Sequence, residues 1–274
     1  MSYIRRVRLM SFVLTAFCAI CASQTTPVEL TYSLESKAVS AREPVNLKIT
    51  IKNGGGQPIA ADFGLQGAQN FTFTVVSPDG GTKTIVPPLH EGLALRGDFE
   101  VLPGKSVARQ ILLTDWFDFT TEGQYRIDVR LTSPITNPQG LVVTTDPGAE
   151  LSLDVLQRDD GRLQEACKRL LVEVASSGSY AKAESAARKL AAINDPIAVP
   201  YLLEATSLWH LEPITIRALG QIGDATAVDA LIGLLPSGNS DAAALARSTL
   251  MQLRRRITDP SLQDKVRRAL ESKS

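Results

Sequence analysis

The sequence predicts two domains of different class, an all-β domain followed by an all-α domain. Apolar residues recur with period two as far as about residue 156, and with period 3.6 from residue 163 onward. In the second half a motif also returns after 29 residues. Because the chain has 274 residues, of which 44% are hydrophobic, each half has enough apolar surface for a core of its own.

The first 23 residues are typical of a secretory signal peptide. Three arginines within the first eight residues precede a mostly apolar run from residue 9 to 22, and small residues follow. A membrane anchor is the alternative, but this run is shorter than the ~20 apolar residues that span a bilayer, and no basic cluster follows it. We therefore expect cleavage near Ser23, export to the periplasm or outside the cell, and no membrane span in the mature chain.

Charge narrows the classes of possible partner, and cysteine content excludes an intrachain disulfide. Without residues 1–23, 26 basic and 29 acidic residues remain, so the mature chain has a slightly negative net charge. Nucleic acid is not an expected partner, because phosphate binding needs a concentrated positive surface. Cys167 is the only cysteine left after cleavage, so the mature chain has no intrachain disulfide and its stability must come from burial.

The segment 24–157 predicts an immunoglobulin-like β-sandwich. In PVNLKITIK, at 44–52, apolar and polar side chains alternate, as they do in a strand with one buried and one solvated face. Glycine-containing stretches such as NGGG and TEGQ supply the turns between strands. The same alternation predicts strands at 28–34, 71–75, 125–131 and 151–155, and weaker ones near 82–86, 95–101 and 106–113. Many short strands separated by regular turns are typical of this sandwich.

The segment 158–274 predicts helices. Acidic and glycine residues at 157–163 mark the domain boundary, and apolar residues from Leu163 to Val174 then fall on one helical stripe. The rest of the chain continues with helical periodicity, so we expect an all-α domain.

A repeated motif begins two of these helices. INDPIAVPYL at 193–202 and IGDATAVDAL at 222–231 share Ile, Asp, Ala, Val and Leu in the same five places. Asp195 and Asp224 stand where each helix begins, and a carboxylate there accepts hydrogen bonds from the free N–H groups of the first turn. Asp259, in ITDPSLQDKV, is predicted to begin a last helix in the same way. We interpret all three aspartates as structural helix caps.

These residues resemble the short bacterial HEAT-like repeats named after phycobilisome lyases. The resemblance covers residues 179–271 and rests on the motif helix–Ile–x–Asp–x–x–Ala–Val–x–x–Leu. It implies a short, curved α-solenoid of stacked helix pairs. The helices at 162–175 and 260–270 are then expected to cap its two ends.

The same resemblance implies one contact and one activity. In such repeats the arginine and the aspartate pair between neighbouring units, so Arg188 and Arg217 are expected to reach Asp195 and Asp224. The family's name alone implies a chromophore lyase, an enzyme. The motif itself is specific for the architecture rather than for an activity.

Residues with the spacing of a catalytic or metal site are lacking. His90 and His210 belong to different domains, and the sequence has no His-x-x-x-His, Cys-x-x-Cys, phosphate-binding glycine loop or Gly-x-Ser-x-Gly elbow. Cys167, on the apolar stripe of a helix, is expected to be a buried hydrophobe. DWFDF at 115–119 could bind calcium or sugar, but closure of a sandwich edge by its aromatics is favoured. We therefore predict no catalytic residues, no cofactor and no metal.

Protein contact is the predicted function. EATSLWHLEP at 204–213 forms an interhelical turn, where Trp209 and His210 are candidate partner-binding residues together with Tyr201 of the preceding helix. Burial of Trp209 between packed helices is the alternative. We predict an exported, monomeric, non-catalytic protein-binding or scaffolding protein.

The sandwich half supports a second function. EPVNLKITIKNGGGQPIAADF, FTFTVVSPDGG, LPGKSVARQ and EGQYRIDV, within 43–129, resemble the sandwich of bacterial intracellular proteinase inhibitors in their order and turn residues. They resemble many exported immunoglobulin-like modules equally. The resemblance implies inhibition of a proteinase through the sandwich as the alternative to scaffolding.

Overall fold

A computed structural model describes residues 28–64, 68–85, 87, 98–236 and 238–271. The predicted signal peptide and His90 lie outside these residues. None of the described helices is long and apolar enough to cross a membrane.

The described part of the first half consists of strands in three sheets. The strands are β1 (Val28–Leu34), β2 (Ala38–Ser40), β3 (Asn46–Asn53), β4 (Ile59–Asp62), β5 (Phe71–Val76), β6 (Thr82–Ile85), β7 (Asp98–Val101), β8 (Ser106–Leu112), β9 (Gly123–Leu131), β10 (Ile135–Thr136), β11 (Val142–Thr144) and β12 (Ala149–Leu156). The sheet orders are β1-β3-β8, β2-β12-β9-β5-β6 and β11-β10-β4-β7. The short strand β2 runs parallel to β12, whereas the long strands pair antiparallel.

The strands predicted from alternation all form. Strands β1, β3, β5, β9 and β12 correspond to the five strong patterns, and β6, β7 and β8 to the weaker ones. In β3, Leu47, Ile49 and Ile51 are fully buried while Lys48 and Lys52 remain in solvent. Strands β2, β4, β10 and β11 are not predicted by the pattern, because two to four residues are too few to display a period.

Aromatic and branched side chains fill the space between the sheets. The buried cluster draws on all three sheets, and Phe63, Phe71 and Tyr125 are among its largest members. The Tyr125 hydroxyl accepts a hydrogen bond of 3.2 Å from the backbone N–H of Thr121. A tyrosine near the start of a late strand, bonded to backbone a few residues upstream, is a feature of immunoglobulin-like sandwiches. The prediction of this fold for the first half is confirmed.

The second half is an array of helix pairs. Its helices are α1 (Asp160–Ala175), α2 (Tyr180–Ala191), α3 (Val199–Thr206), α4 (Glu212–Ile222), α5 (Ala225–Leu234), α6 (Ser240–Arg254) and α7 (Pro260–Glu271). The pairs α2–α3, α4–α5 and α6–α7 pack in succession, each against the next, and α1 covers the first pair. Contacts between neighbouring units are what hold a solenoid together. The predicted α-helical solenoid is therefore confirmed.

The connection between the two domains is short and tied down at both ends. Strand β12 ends at Leu156 and α1 begins at Asp160. The Ser40 hydroxyl of β2 donates to the backbone oxygen of Gln157 at 3.2 Å and accepts from the backbone N–H of Asp159 at 2.8 Å. One buried side chain of the sandwich thus holds the chain as it leaves one domain and enters the other.

Candidate functional site

Each predicted cap aspartate lies at a helix start and accepts a backbone hydrogen bond there. Asp195 accepts from the N–H two residues on, at 3.1 Å, ahead of a 3-10 turn that leads into α3. Asp224 accepts from the N–H three residues on, at 2.8 Å, at the start of α5. Asp259 precedes α7 and accepts from the N–H two residues on, at 2.9 Å. These N–H groups have no partner within their helix, so the carboxylates satisfy them.

The residue before two of these aspartates has a left-handed backbone. Asn194 has a φ of 44° and Gly223 a φ of 61°. Glycine and asparagine are favoured in this conformation where a helix ends. A Cβ on Gly223 would also lie 3.0 Å from a methyl carbon of Leu253. The repeated motif is therefore a helix stop followed at once by a helix start.

The predicted pairing of the repeated arginines with these aspartates is wrong. Arg188 lies on the exposed side of α2 and pairs with Glu184, four residues before it, at 3.1 Å. No ion pair joins Arg217 to Asp195 or to Asp224 in the described part of the helical domain. A carboxylate one turn away on the same helix face is a nearer partner than the cap of the next helix.

Asp195 instead joins the two domains. Its carboxylate, only 4% exposed, accepts hydrogen bonds from Nε and Nη2 of Arg158 at 3.1 and 3.2 Å. Arg42 of the sandwich places its Nε 3.7 Å from the same carboxylate, and its Nη1 donates to the backbone oxygen of Asn194 at 2.6 Å. We call Arg42, Arg158, Asn194 and Asp195 the junction cluster. Because Arg158 belongs to the linker and Arg42 to the sandwich, one helix cap also holds the two domains together.

Two arginines keep this buried carboxylate ionised. Burial by itself would raise the pKa of Asp195. The hydrogen bonds from Arg158 and from the helix start, with the positive charges of Arg158 and Arg42, outweigh it and hold the pKa below its ordinary value. A bidentate pair between guanidinium and carboxylate is specific in geometry as well as strong. The junction cluster therefore fixes the direction in which the helical domain leaves the sandwich.

Two further ion pairs cross the junction. Arg162 of α1 donates from Nη2 and Nε to the Glu43 carboxylate at 2.9 and 3.3 Å. Lys189 of α2 lies 3.7 Å from the Glu35 carboxylate, which follows β1. Both α1 and α2 are thus held against the same end of the sandwich.

The turn between α3 and α4, residues 207–211, carries an exposed aromatic side chain; Tyr180, at the start of α2, is another. Leu208 packs against the helical core and Leu211 is fully buried, whereas Trp209, 37% exposed, and His210 face solvent. The two exposed residues have left-handed backbone, with φ of 54° and 56°. A bulky residue adopts the left-handed backbone conformation only at an energetic cost. Contacts with the surrounding structure must therefore hold the turn in place.

Buried polar contacts supply that support. The hydroxyl oxygens of Thr206, at the end of α3, and Thr215, in α4, lie 2.8 Å apart, and each is also within hydrogen-bond distance of a backbone carbonyl one turn back. Glu212, 7% exposed, accepts from Nδ2 of Asn239 at 2.7 Å, which connects the start of α4 to the start of α6. The turn is therefore braced on both sides, and Trp209 is presented from a rigid base.

Tyr201 makes different contacts from the other two candidate residues. It is half-buried on α3, packs against the helical core and lies near Lys168 of α1. No ring contact joins Tyr201 to Trp209 within the residues that the structure describes. The structure thus places Trp209 and His210 together in one turn and Tyr201 on the side that faces α1.

The aromatic segment at 115–119 serves the sandwich interior. The Trp116 ring stacks on Phe73 with centroids 5.8 Å apart, and Phe119 packs edge-on against Tyr125 at 5.2 Å. Of the His, Cys, Asp and Glu side chains in the described ranges, no three or more lie together so as to hold a metal ion.

Cys167 lies at the centre of the helical core, fully buried. Burial, and then the nearby negative charge of Asp195, raise the pKa of its thiol to about 12. Since the thiolate is the reactive form, this environment disfavours a nucleophilic role.

Neither Arg42 nor Arg158 is predicted as a site residue by the sequence. Arg42 contacts a residue 152 positions further on, and no local pattern reports such a contact. Its φ of 75° is equally invisible in the sequence SAREP, where neither glycine nor asparagine marks a left-handed position. The one available signal for Arg158 was its place in the short linker between two periodic segments.

The family model of the PBS lyase HEAT-like repeat matches residues 183–207 and 215–235. These ranges cover most of α2–α3 and α4–α5, so the predicted HEAT-like repeats are confirmed for two units. No curated protein is significantly similar to the chain in sequence.

Several solved structures are similar to the chain at low identity. The CARDB domain of the PF1109 protein from Pyrococcus furiosus is 14% identical over 47% of this chain and 89% of that domain, with a TM-score of 0.26. An ASH/PapD-like domain of human CEP192 is 12% identical over 58% and 99%, with a TM-score of 0.28. A beta-glucosidase from Listeria innocua is 12% identical over 47% of this chain, with a TM-score of 0.26, and the match spans only 16% of that enzyme.

Proposed function

We propose that the protein is an exported, non-catalytic scaffold that binds a protein partner through the α3–α4 turn. The observation that carries the proposal is the exposed Trp209, held in a left-handed backbone beside His210 and above buried Leu211. Strained residues persist where the surrounding structure over-determines them, and they cluster at functional positions. A rigidly held tryptophan is also the side chain most typical of binding hot spots.

The architecture supports the same function. HEAT-like units stack into an extended surface that suits protein contact. The junction cluster attaches this surface to the sandwich at a defined angle, so one partner can contact both domains. Loops at the end of a sandwich are available for such contacts.

Crosslinking from the turn tests the binding surface. A photoreactive phenylalanine analogue at position 209 should give one discrete adduct in the producing cell, because the partner's contact centres there. The matched control carries the same analogue at Val172, which is 64% exposed on α1. Trp209→Ala should abolish partner co-purification, whereas Met251→Ala, at a residue 50% exposed on α6, should preserve it. Equal adducts from positions 209 and 172 would contradict the proposal.

Export is tested separately. The N-terminal segment supports it by its charged start and its short apolar run. We expect intact-mass measurement of the protein from its native cell to show a chain that begins near residue 24, recovered outside the cytoplasm. An uncleaved chain in the cytoplasmic fraction would contradict export and leave the binding surface open to its own test.

A further inference from the structure

We infer that the sandwich binds an extended segment of a partner protein along β8, as an added strand that places an acidic residue opposite Arg109. Strand β8 forms one edge of the sheet β1-β3-β8, which has three strands where the sheet across the core has five. An edge strand offers unpaired N–H and C=O groups that a further chain can use. This surface lies in the sandwich, so the inference goes beyond the proposed binding through the α3–α4 turn.

Half of the backbone groups of β8 point away from its neighbour β3. The N–H of Asn53 donates to the oxygen of Lys105 at 2.9 Å, and the bonded residues alternate along an antiparallel pair. The odd-numbered residues of β8 therefore bond β3, whereas Ser106, Ala108 and Gln110 direct their N–H and C=O groups outward. These three residues are exposed, and no second strand pairs with β8 within the described ranges.

The fold closes or shortens the other edges. Strand β1, at the opposite side of the same sheet, lies against β12. The Tyr32 hydroxyl of β1 donates to the carboxylate of Asp146, in the loop before β12, at 2.5 Å. The described edge strands of the other two sheets, β2, β6, β7 and β11, have only three or four residues. Short edge strands are poor templates for pairing, so β8 with its seven residues is the open edge of the described strands.

The side chains of β8 leave room for a further strand. On the outer face Ser106 and Ala108 are small, and on the inner face Val107 is partly buried and Ile111 is buried in the core. In an added antiparallel strand, the residues opposite Val107 and Ile111 form non-hydrogen-bonded pairs, whose Cα atoms lie only about 4.5 Å apart. Apolar side chains at those two positions would extend the core, so the partner segment should be apolar there.

Arg109 selects the charge of the partner. Its guanidinium carbon lies 5.1 Å from the centre of the Phe99 ring, and Nη1 is 3.4 Å from the backbone oxygen of Ala108. No carboxylate pairs with Arg109 in the described part of the sandwich. Pairing of β8 with a second copy would bring two Arg109 side chains directly or diagonally opposite each other, and like charges there are destabilising. A carboxylate opposite Arg109 is attracted instead, which favours a partner segment of the pattern apolar–x–acidic–x–apolar.

Amide NMR of the full protein with short capped peptides tests the site. The probe is the heptapeptide TVTETVT, and TVTKTVT is its matched control. On binding of the probe, we expect the N–H groups of Ala108 and Gln110 to become protected from exchange with solvent. The N–H of Arg109 should not change, because it is already bonded to β3. TVTKTVT should bind about fivefold more weakly or worse, since it places like charges opposite each other.

Variants separate the charge from the backbone contribution. Arg109→Glu should reverse the preference between the two peptides, whereas Lys48→Glu, the same change at an exposed position of β3, should preserve it. Ala108→Pro removes an outward N–H that the fold does not use, so it should weaken binding of both peptides about tenfold or more. Trp209→Ala should bind both as the unchanged protein does, which makes the result independent of the α3–α4 turn.

Several results would overturn the inference. Protection of the Ala108 and Gln110 N–H groups in the protein alone would mean that the edge is already covered, and light scattering would show whether a second copy or the chain itself covers it. Failure of TVTETVT to protect these groups, or equal binding of the two peptides, would also refute it. So would an unreversed preference in a folded Arg109→Glu. If that variant does not fold, undiminished binding by Ala108→Pro is the decisive contrary result.

Discussion

Asp195 and Asp224 occupy the same position of the repeated motif and differ only in what surrounds them. Both cap a helix, and both follow a residue with left-handed backbone. Asp195 alone of the two is nearly buried and bonded to arginines of the linker and the sandwich. The same local sequence thus has a purely local role in one copy and an additional role between domains in the other.

Replacing each aspartate by alanine separates these two roles. Asp224→Ala should lower the free energy of unfolding by about 1 kcal/mol, the usual effect of losing a helix cap. Asp195→Ala should lower it by about 2–3 kcal/mol, because the charge-assisted hydrogen bonds from Arg158 are lost as well. Urea unfolding of the two variants measures the difference. Equal losses would show that the junction cluster contributes nothing beyond the cap.

The environment of Cys167 predicts an unreactive thiol. Since its pKa is raised to about 12, almost none of it is thiolate near neutral pH. In the folded protein we expect iodoacetamide to leave Cys167 unmodified over the time in which the urea-unfolded protein reacts fully, as mass spectrometry of its peptide would show. Val172→Cys, at an exposed position of the same helix, serves as the reactive control. Rapid native modification of Cys167 would contradict its burial.

Among the elements, the α3–α4 turn is the one whose backbone departs most from ordinary preference. Trp209 and His210 are consecutive left-handed residues, and the buried contact between Thr206 and Thr215 closes the turn beneath them. A turn built for stability alone would place glycine or asparagine there. The left-handed backbone at these two positions therefore costs some stability.

Relieving the strain at His210 should stabilise the turn. His210→Gly removes the steric cost of the left-handed backbone, but it also gives the unfolded chain more conformational freedom. Because the first effect is the larger, we expect the free energy of unfolding to rise by about 0.5–1 kcal/mol. Ser207→Gly, in the same turn at a φ of −84°, should lower it by a similar amount. Thermal unfolding of the two variants provides the comparison. A loss of stability in both would mean that the φ of His210 carries no strain.

At the scale of the whole molecule, polar contacts at the junction connect two differently built domains. The linker is held by Ser40, and ion pairs of Arg42, Arg162 and Lys189 cross between the sandwich and the helical domain. Exposed ion pairs contribute little by themselves, but the Asp195 carboxylate is shielded from water and hydrogen-bonded. We therefore expect this pair to dominate the coupling between the domains.

The coupling should depend on pH. Because the pKa of Asp195 is lowered in the folded state, its stabilising contribution is complete above the ordinary value of 3.8 and is lost as the pH falls through the lowered value. At pH 7, calorimetry should show one unfolding transition for the unchanged protein and two for Asp195→Asn, which mimics the protonated form. Toward pH 3 the difference between them should shrink. A constant difference across this range would exclude an ionised Asp195 as the coupling group.

Local patterns in the sequence predicted much of the fold and part of the candidate site. Alternation along β3 and the other long strands, and the helical stripe that includes Cys167, depend on neighbours in sequence, and all of these elements form. The Asp caps and the turn that carries Trp209 depend on neighbours in sequence in the same way. The short strands were missed, as was the partner of Arg188, which an acidic residue on its own helix supplies.

The sequence by itself determined the longer strands and the helices, because periodicity and capping act over a few residues. Only the tertiary structure decided that Asp195 and Asp224 differ, since the distinction comes from Arg42, 152 positions before the residue whose backbone it binds. It also decided that β8 lies at the edge of its sheet. Contacts between domains depend on how two complete cores pack together, and no local pattern records that packing.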